Sequence, residues 1–134
     1  MSRPVYLHPL QVVPADIDQQ GHVNNVTFVR YVQETATAHW MAAAPDEVRT
    51  TVGWVVRRHE IEYLKPAFLG DELLARTWVG EPSAATWERF TEITRVADGA
   101  ILVTARTVWV LVDATSGRPR RIDLRWAAPL MGEA

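Results

Sequence analysis

The feature that most constrains this chain is one helical stripe: Phe28, Val32, Ala36, Trp40 and Ala43 recur at spacings of four, four, four and three. That is one face of an α-helix. Asn24 stands where a side-chain oxygen can cap first-turn amides, and Pro45 ends the run because the residue before a proline is pushed out of the helical region. The pattern predicts one long helix, from about Asn25 to about Ala44. Everything after Pro45-Asp46-Glu47-Val48-Arg49, a loop or single helical turn, reads as β-structure until the tail.

Thr51–Val56 and Glu60–Leu64 have the branched and aromatic content of strands, with Arg57-Arg58-His59 between them, and form one long strand bulged near Arg58. Gly70-Asp71, Pro82-Ser83 and Asp98-Gly99 are turns that separate strands at Glu72–Gly80, Thr86–Val96 and Ile101–Val112. A first strand, Val5–Val13, lies between Pro4 and Pro14. In the last strand Ile101, Val103, Ala105, Trp109 and Leu111 alternate with Leu102, Val108, Val110 and Val112, so both faces are mostly apolar and a sheet built this way calls for cover on both sides. One helix covers one face; a second copy of the chain or the tail must cover the other. Ile122–Leu130, around Trp126, makes a short terminal helix.

With 134 residues and 48% hydrophobic content, one domain spans 1–134, with a core at about 5–115 and a tail at about 116–134. The net charge of −2 gives no basic footprint for nucleic acid. The chain has no cysteine, which excludes disulfides, thiolate zinc sites and cysteine nucleophiles. Ser2, Ser83 and Ser116 lie outside any Gly-x-Ser-x-Gly elbow, against an α/β-hydrolase. No signal-like opening and no apolar run near the ~18 residues of a membrane span is present, so a cytoplasmic location with no membrane partner is expected. His8, His39 and His59 have no metal-ligand spacing, so neither metal nor cofactor is expected.

Chemistry concentrates in Asp16-Ile17-Asp18-Gln19-Gln20-Gly21-His22-Val23-Asn24-Asn25, just before the helix. A helix N-terminus offers unpaired amides and a positive dipole end, which polarise a carbonyl oxygen, while a neighbouring carboxylate attacks or activates water. Acyl transfer needs those two parts. The plainer alternative makes Asp16 and Asp18 turn residues, His22 a loop histidine and Asn24 a cap.

The run Asp-x-Asp-x-x-Gly-His-Val-Asn-Asn-x-x-Phe resembles the signature of the 4-hydroxybenzoyl-CoA thioesterase-like branch of the hotdog superfamily, and Ile61–Leu73, with its Pro66 and Gly70-Asp71, resembles that family's second block. The resemblance covers about residues 5–115. It implies an α+β hotdog fold, a long central helix wrapped by a curved antiparallel β-sheet, and a homodimer or dimer of dimers. The implied activity is hydrolysis of an acyl-CoA or acyl-carrier-protein thioester, with coenzyme A entering only as part of the substrate. By position, Asp18 corresponds to the catalytic carboxylate and Asn25 to the residue whose N–H polarises the thioester carbonyl. His22 matches a histidine of many relatives, while Gln20 stands where the plant acyl-carrier-protein thioesterases have asparagine.

The acyl pocket is expected to involve the helix start and the partner's long strand, and Asn24, Phe28, Tyr31, Trp54 and Tyr63 are its candidate residues, each also suited to core packing. The turn Gly80-Glu81-Pro82-Ser83-Ala84 lacks the basic residues that relatives use for coenzyme A phosphates, which leaves Arg57 and Arg58 as phosphate contacts. Glu34 is a rival carboxylate, but it lies nine residues past Asn25, ~13 Å along the helix, with Arg30 as a ready ion-pair neighbour. Hydration or dehydration of an enoyl or hydroxyacyl thioester, and a noncatalytic thioester-binding module, remain as other functions.

Overall fold

The computed structural model describes residues 4–132. Strand β1 (Tyr6–Gln11) leads through a 3₁₀ turn (Pro14–Asp16) and a tight loop into helix α1 (Asn25–Ala43). The cap is the expected one: the Asn24 side-chain oxygen accepts the Val26 N–H at 2.8 Å. Extended backbone at Ala44, before Pro45, stops the helix after 19 residues. A single turn, α2 (Asp46–Arg49), precedes the strands β2 (Val52–Tyr63), β3 (Glu72–Val79), β4 (Thr86–Arg95) and β5 (Ile101–Asp113). A short helix, α3 (Leu124–Ala127), and a 3₁₀ turn (Ala128–Met131) follow.

The strands form one five-stranded sheet in the order β1-β3-β4-β5-β2, with every pair antiparallel. This is an α+β arrangement consistent with the hotdog fold. The order leaves β2, 12 residues long, at an edge. Its pairing with β5 slips between Val56 and Arg58, so Arg57 occupies the bulge expected there. A long edge strand presents unpaired backbone groups, a template for adding another strand.

Helix α1 packs on the inner face. In β3 the residues Leu73, Ala75, Thr77 and Val79 are buried, and in β4 Trp87, Arg89, Thr91 and Ile93. Two core clusters result. One lies beside the first half of α1 and joins Phe28, Tyr31 and Val32 to Leu73, Ala75 and Ile93. The other lies toward the far end, where Trp40 and Trp54 pack on Trp87, Leu111, Ile122 and Leu130. The tail therefore extends the core: the Trp126 ring is 5.4 Å from Trp40 and 6.4 Å from both Trp54 and Trp87.

Two expectations are corrected. Simple alternation puts Leu102 and Val103 on opposite faces, but both are fully buried in one cluster. The β4–β5 register shifts between Ile93 and Thr94, and one extra residue in a strand reverses which way its neighbours point. The outer face is also not apolar throughout. Arg106 pairs with Glu60 (3.1 Å) and Glu88 (3.0 Å), and Arg76 with Glu92 (3.1 Å). Exposed pairs of this kind contribute little stability each, but they keep that surface wet. The β2 edge is the part of the sheet that leaves backbone groups without a neighbouring strand.

Candidate active site

The loop before α1 is zipped at its base. Ile17 and Val23 form an isolated antiparallel bridge. The Asp18 N–H donates to the His22 carbonyl at 3.0 Å, and the Asn24 N–H to the Asp16 carbonyl at 3.0 Å. Gly21 turns the tip with φ of 84°, a conformation that glycine adopts without strain. The exit of this small hairpin is the first turn of α1. There the Val26 N–H is taken by the cap, and those of Thr27 and Phe28 reach the Asn24 carbonyl at 3.0 and 3.3 Å. The Asn25 N–H has no partner among the described residues.

Asp18 sits in the same hairpin with its side chain 25% exposed. Its Oδ1 accepts the Gln20 N–H at 2.9 Å, while Oδ2 has no partner among the described residues. His22 Nδ1 lies 4.0 Å from Asp18 Oδ1, beyond hydrogen-bond distance, and 3.4 Å from the Val23 carbonyl oxygen. One unpaired amide and one half-free carboxylate thus share a single short loop.

Asp16 is more than the turn residue of the plainer alternative. Its carboxylate is 1% exposed; Oδ2 accepts the Tyr31 hydroxyl at 2.6 Å and the Val13 N–H at 3.1 Å, and Oδ1 accepts Arg30 Nη2 at 2.6 Å. Burial alone would raise its pKa. The hydrogen bonds from Tyr31, Val13 and Arg30, with the Arg30 charge, outweigh that and hold the carboxyl below its ordinary range. Arg30 also keeps its expected partner, with Nε 3.2 Å from Glu34 Oε1. Sequence spacing shows the Arg30–Glu34 pair but not the long-range bond to Asp16.

The other candidates separate into groups. Phe28 is buried with its ring edge-on to Tyr31 (5.7 Å) and Tyr63 (6.1 Å). Exposed Tyr63 donates its hydroxyl to the Asn25 carbonyl at 3.1 Å, so these two do meet at the helix start. Tyr31, expected in a pocket, is instead buried, with its hydroxyl committed to Asp16; burial and that carboxylate raise its pKa. Trp54 is nine residues from Tyr63 along β2, ~30 Å at ~3.3 Å per residue, and does not join the others within one subunit. Arg57 and Arg58 are exposed on the edge strand, Arg58 with Nη1 3.7 Å from Glu60 Oε1. Trp54 lines a cavity of about 440 Å³ together with Trp40, Trp87, Trp109, Gln33 and Arg89. The sequence reading missed Arg89. Its signal was the alternation that places it in phase with Trp87, Thr91 and Ile93.

Residues 12–129 match the family model of the Thioesterase-like superfamily. The chain belongs to that superfamily. Membership makes it a thioester hydrolase. No curated protein matches significantly. Among solved structures, a 1,4-dihydroxy-2-naphthoyl-CoA thioesterase from Synechocystis superposes with a TM-score of 0.83 at 19% identity, covering 95% of this chain and 96% of that one. A Thermus thermophilus thioesterase complexed with coenzyme A and zinc gives 0.81 at 25% identity, over 96% and 98%. A Staphylococcus aureus protein in complex with CoA gives 0.83 at 14% identity, over 97% and 84%. The low-identity likenesses are likenesses of fold. Among the described residues no helix is long and apolar enough to cross a membrane.

Proposed function

We propose that the protein hydrolyses acyl-CoA thioesters at the Asp18–Asn25 loop. The observation that carries this is the unpartnered Asn25 N–H, which opens a 19-residue helix directly after the loop that carries Asp18, a carboxylate with a free oxygen. The thioester carbonyl oxygen accepts the Asn25 N–H, and the helix dipole stabilises the negative charge that develops there. Asp18 then acts in one of two ways. As a nucleophile it bonds to the carbonyl carbon, the thiolate leaves, and water opens the resulting mixed anhydride. As a general base it takes a proton from water, which attacks the same carbon. Both routes yield the acid and free thiol.

In this reading His22 and Asn24 order the loop, while Phe28 and Tyr63 wall the helix start. Coenzyme A is the thiol carrier, as in the coenzyme A complexes of the Thermus and Staphylococcus structures. Its phosphates meet Arg57 and Arg58, and no other cofactor takes part. The sheet wraps α1 as the long central helix of a hotdog domain spanning 1–134. The β2 edge pairs antiparallel with its copy, giving a cytoplasmic dimer or dimer of dimers. Because an antiparallel pair sets the end of one strand beside the start of the other, the Tyr63 and Asn25 end of one subunit then faces the Trp54 end of its partner.

Free-thiol release from short, long and aromatic acyl-CoAs tests this, with wild type beside Asp18→Ala and Glu34→Ala. Wild type should release thiol, Asp18→Ala should lose about 10²-fold in kcat/KM, and Glu34→Ala should lose less than about threefold. A folded wild type that releases no thiol from any member of the panel sinks the proposal. Selective loss in Glu34→Ala moves the catalytic carboxylate onto the helix.

A further inference from the structure

Arg89 projects from the inner face of β4 and is 7% exposed. Its Nη1 lies 2.9 Å from His39 Nδ1 and 3.1 Å from Thr77 Oγ1, both neutral acceptors. Among the described residues it makes no ion pair, and its Nε and Nη2 donors have no hydrogen-bond partner. Among the described residues the one acid on the cavity wall is Glu88, and its carboxylate turns to the outer face, where Oε2 accepts Arg106 Nε at 3.0 Å. Burial pushes Arg89 down to about 10, which leaves it cationic at neutral pH. Burial and the neighbouring guanidinium push His39 down to about 4, which keeps it a neutral acceptor.

A buried charge without a counter-ion is costly, and a protein retains one where something else supplies the opposite charge. Here the guanidinium lines a cavity of about 440 Å³ whose wall also carries the rings of Trp40, Trp54, Trp87 and Trp109. The cavity thus offers surplus donors, one positive charge and flat aromatic faces. A ligand that complements it has an aromatic body and an anionic acceptor, and a carboxylate matches the planar guanidinium fork.

We propose that this cavity receives the acyl group and selects thioesters whose acyl portion is an aromatic ring bearing a second, free carboxylate, which pairs with Arg89. The proposal rests on the thioesterase reading above. It also uses the antiparallel β2 pairing, which sets the helix start of one subunit against the Trp54 side of its partner's cavity. The pairing is noncovalent, so the reaction itself is unchanged.

The test compares 4-carboxybenzoyl-CoA with its neutral near-isostere 4-methylbenzoyl-CoA. Wild type should favour the carboxylate by about tenfold to a hundredfold in kcat/KM, and Arg89→Met should bring the ratio to near one, with Arg89→Lys between. Circular dichroism and the melting midpoint establish that each variant is folded. The wild-type ratio decides by itself if none is. A wild-type ratio near one overturns the proposal while leaving the thioesterase reading intact. So does a preference that folded Arg89→Met retains, or a carboxylate of the partner subunit already seated on Arg89. If neither thioester is hydrolysed while another acyl-CoA of the panel is, the proposal is overturned and the thioesterase reading stands; if no member of the panel is hydrolysed, the thioesterase reading fails, and the binding arm then judges the cavity alone. In that arm 4-methylbenzoate, but not 4-methylbenzyl alcohol, should change wild-type tryptophan fluorescence saturably; equal responses overturn the proposal.

Discussion

Along α1, a buried carboxylate at one end and a buried guanidinium at the other are treated in opposite ways. Asp16 takes hydrogen bonds from Tyr31, Arg30 and the Val13 N–H. Arg89 meets only His39 and Thr77, with donors left over beside a cavity. A closed set of polar contacts fixes geometry: it ties the strand end and the loop to the second turn of α1. An open set leaves affinity to be supplied from outside the chain. The difference separates a group that builds the reacting loop from one suited to recognising what enters it.

The largest effect expected from breaking the closed end is Asp16→Ala. It leaves the buried Tyr31 hydroxyl and the Val13 N–H without their acceptor and frees Arg30, for a loss of about 3 kcal/mol of stability. Urea unfolding checks this through a lower midpoint at unchanged slope. Thiol release should fall as well, because the hairpin base loosens. A variant as stable as wild type would mean that the Asp16 contacts do not hold the loop.

That prediction was not available from the sequence, and the reason is physical. Asn24, Pro45 and the stripe on α1 act within a few residues of where they sit, so the helix and its cap were legible, as was the bulge beside Arg58. Asp18, Gly21 and Asn25 share one loop for the same local reason. The side-chain partners of Asp16 lie 14 and 15 residues away, and those of Arg89 lie 12 and 50 residues away. Such separations leave no spacing to read. Leu102 was misplaced because a register slip in β4–β5 resets the alternation.

The open end gives the next effect, in acid. Unfolded histidine titrates near 6.5, whereas His39 in the folded chain is pushed down to about 4 by burial and by Arg89. Between those values the unfolded chain binds the extra proton, so stability should fall as pH drops from about 6.5 to about 4, with His39 contributing ~2–3 kcal/mol, and His39→Gln should remove that part of the fall and leave the part due to His59, which burial also pushes down. Asp16 acts lower. Its carboxyl is held below the ordinary range, so its contribution is present above the unfolded carboxylate value and is lost only as pH falls below about 4. Denaturation midpoints measured across pH 3–8 would separate the two ends, and a His39→Gln profile parallel to wild type would remove His39 as the cause.

The smallest effect expected is at the reacting end itself. Tyr63 is 43% exposed and donates its hydroxyl to the Asn25 carbonyl at 3.1 Å. That carbonyl also lies in the first turn of α1, where the helical ladder gives it another donor. Water can replace an exposed phenol hydroxyl, so Tyr63→Phe should shift stability by no more than about 0.5 kcal/mol and thiol release by less than about threefold. The ring that faces Phe28 is retained. A loss of tenfold or more in kcat with stability unchanged would mean that the hydroxyl touches the reacting thioester, and it would turn a strut between β2 and the helix start into part of the catalytic machinery.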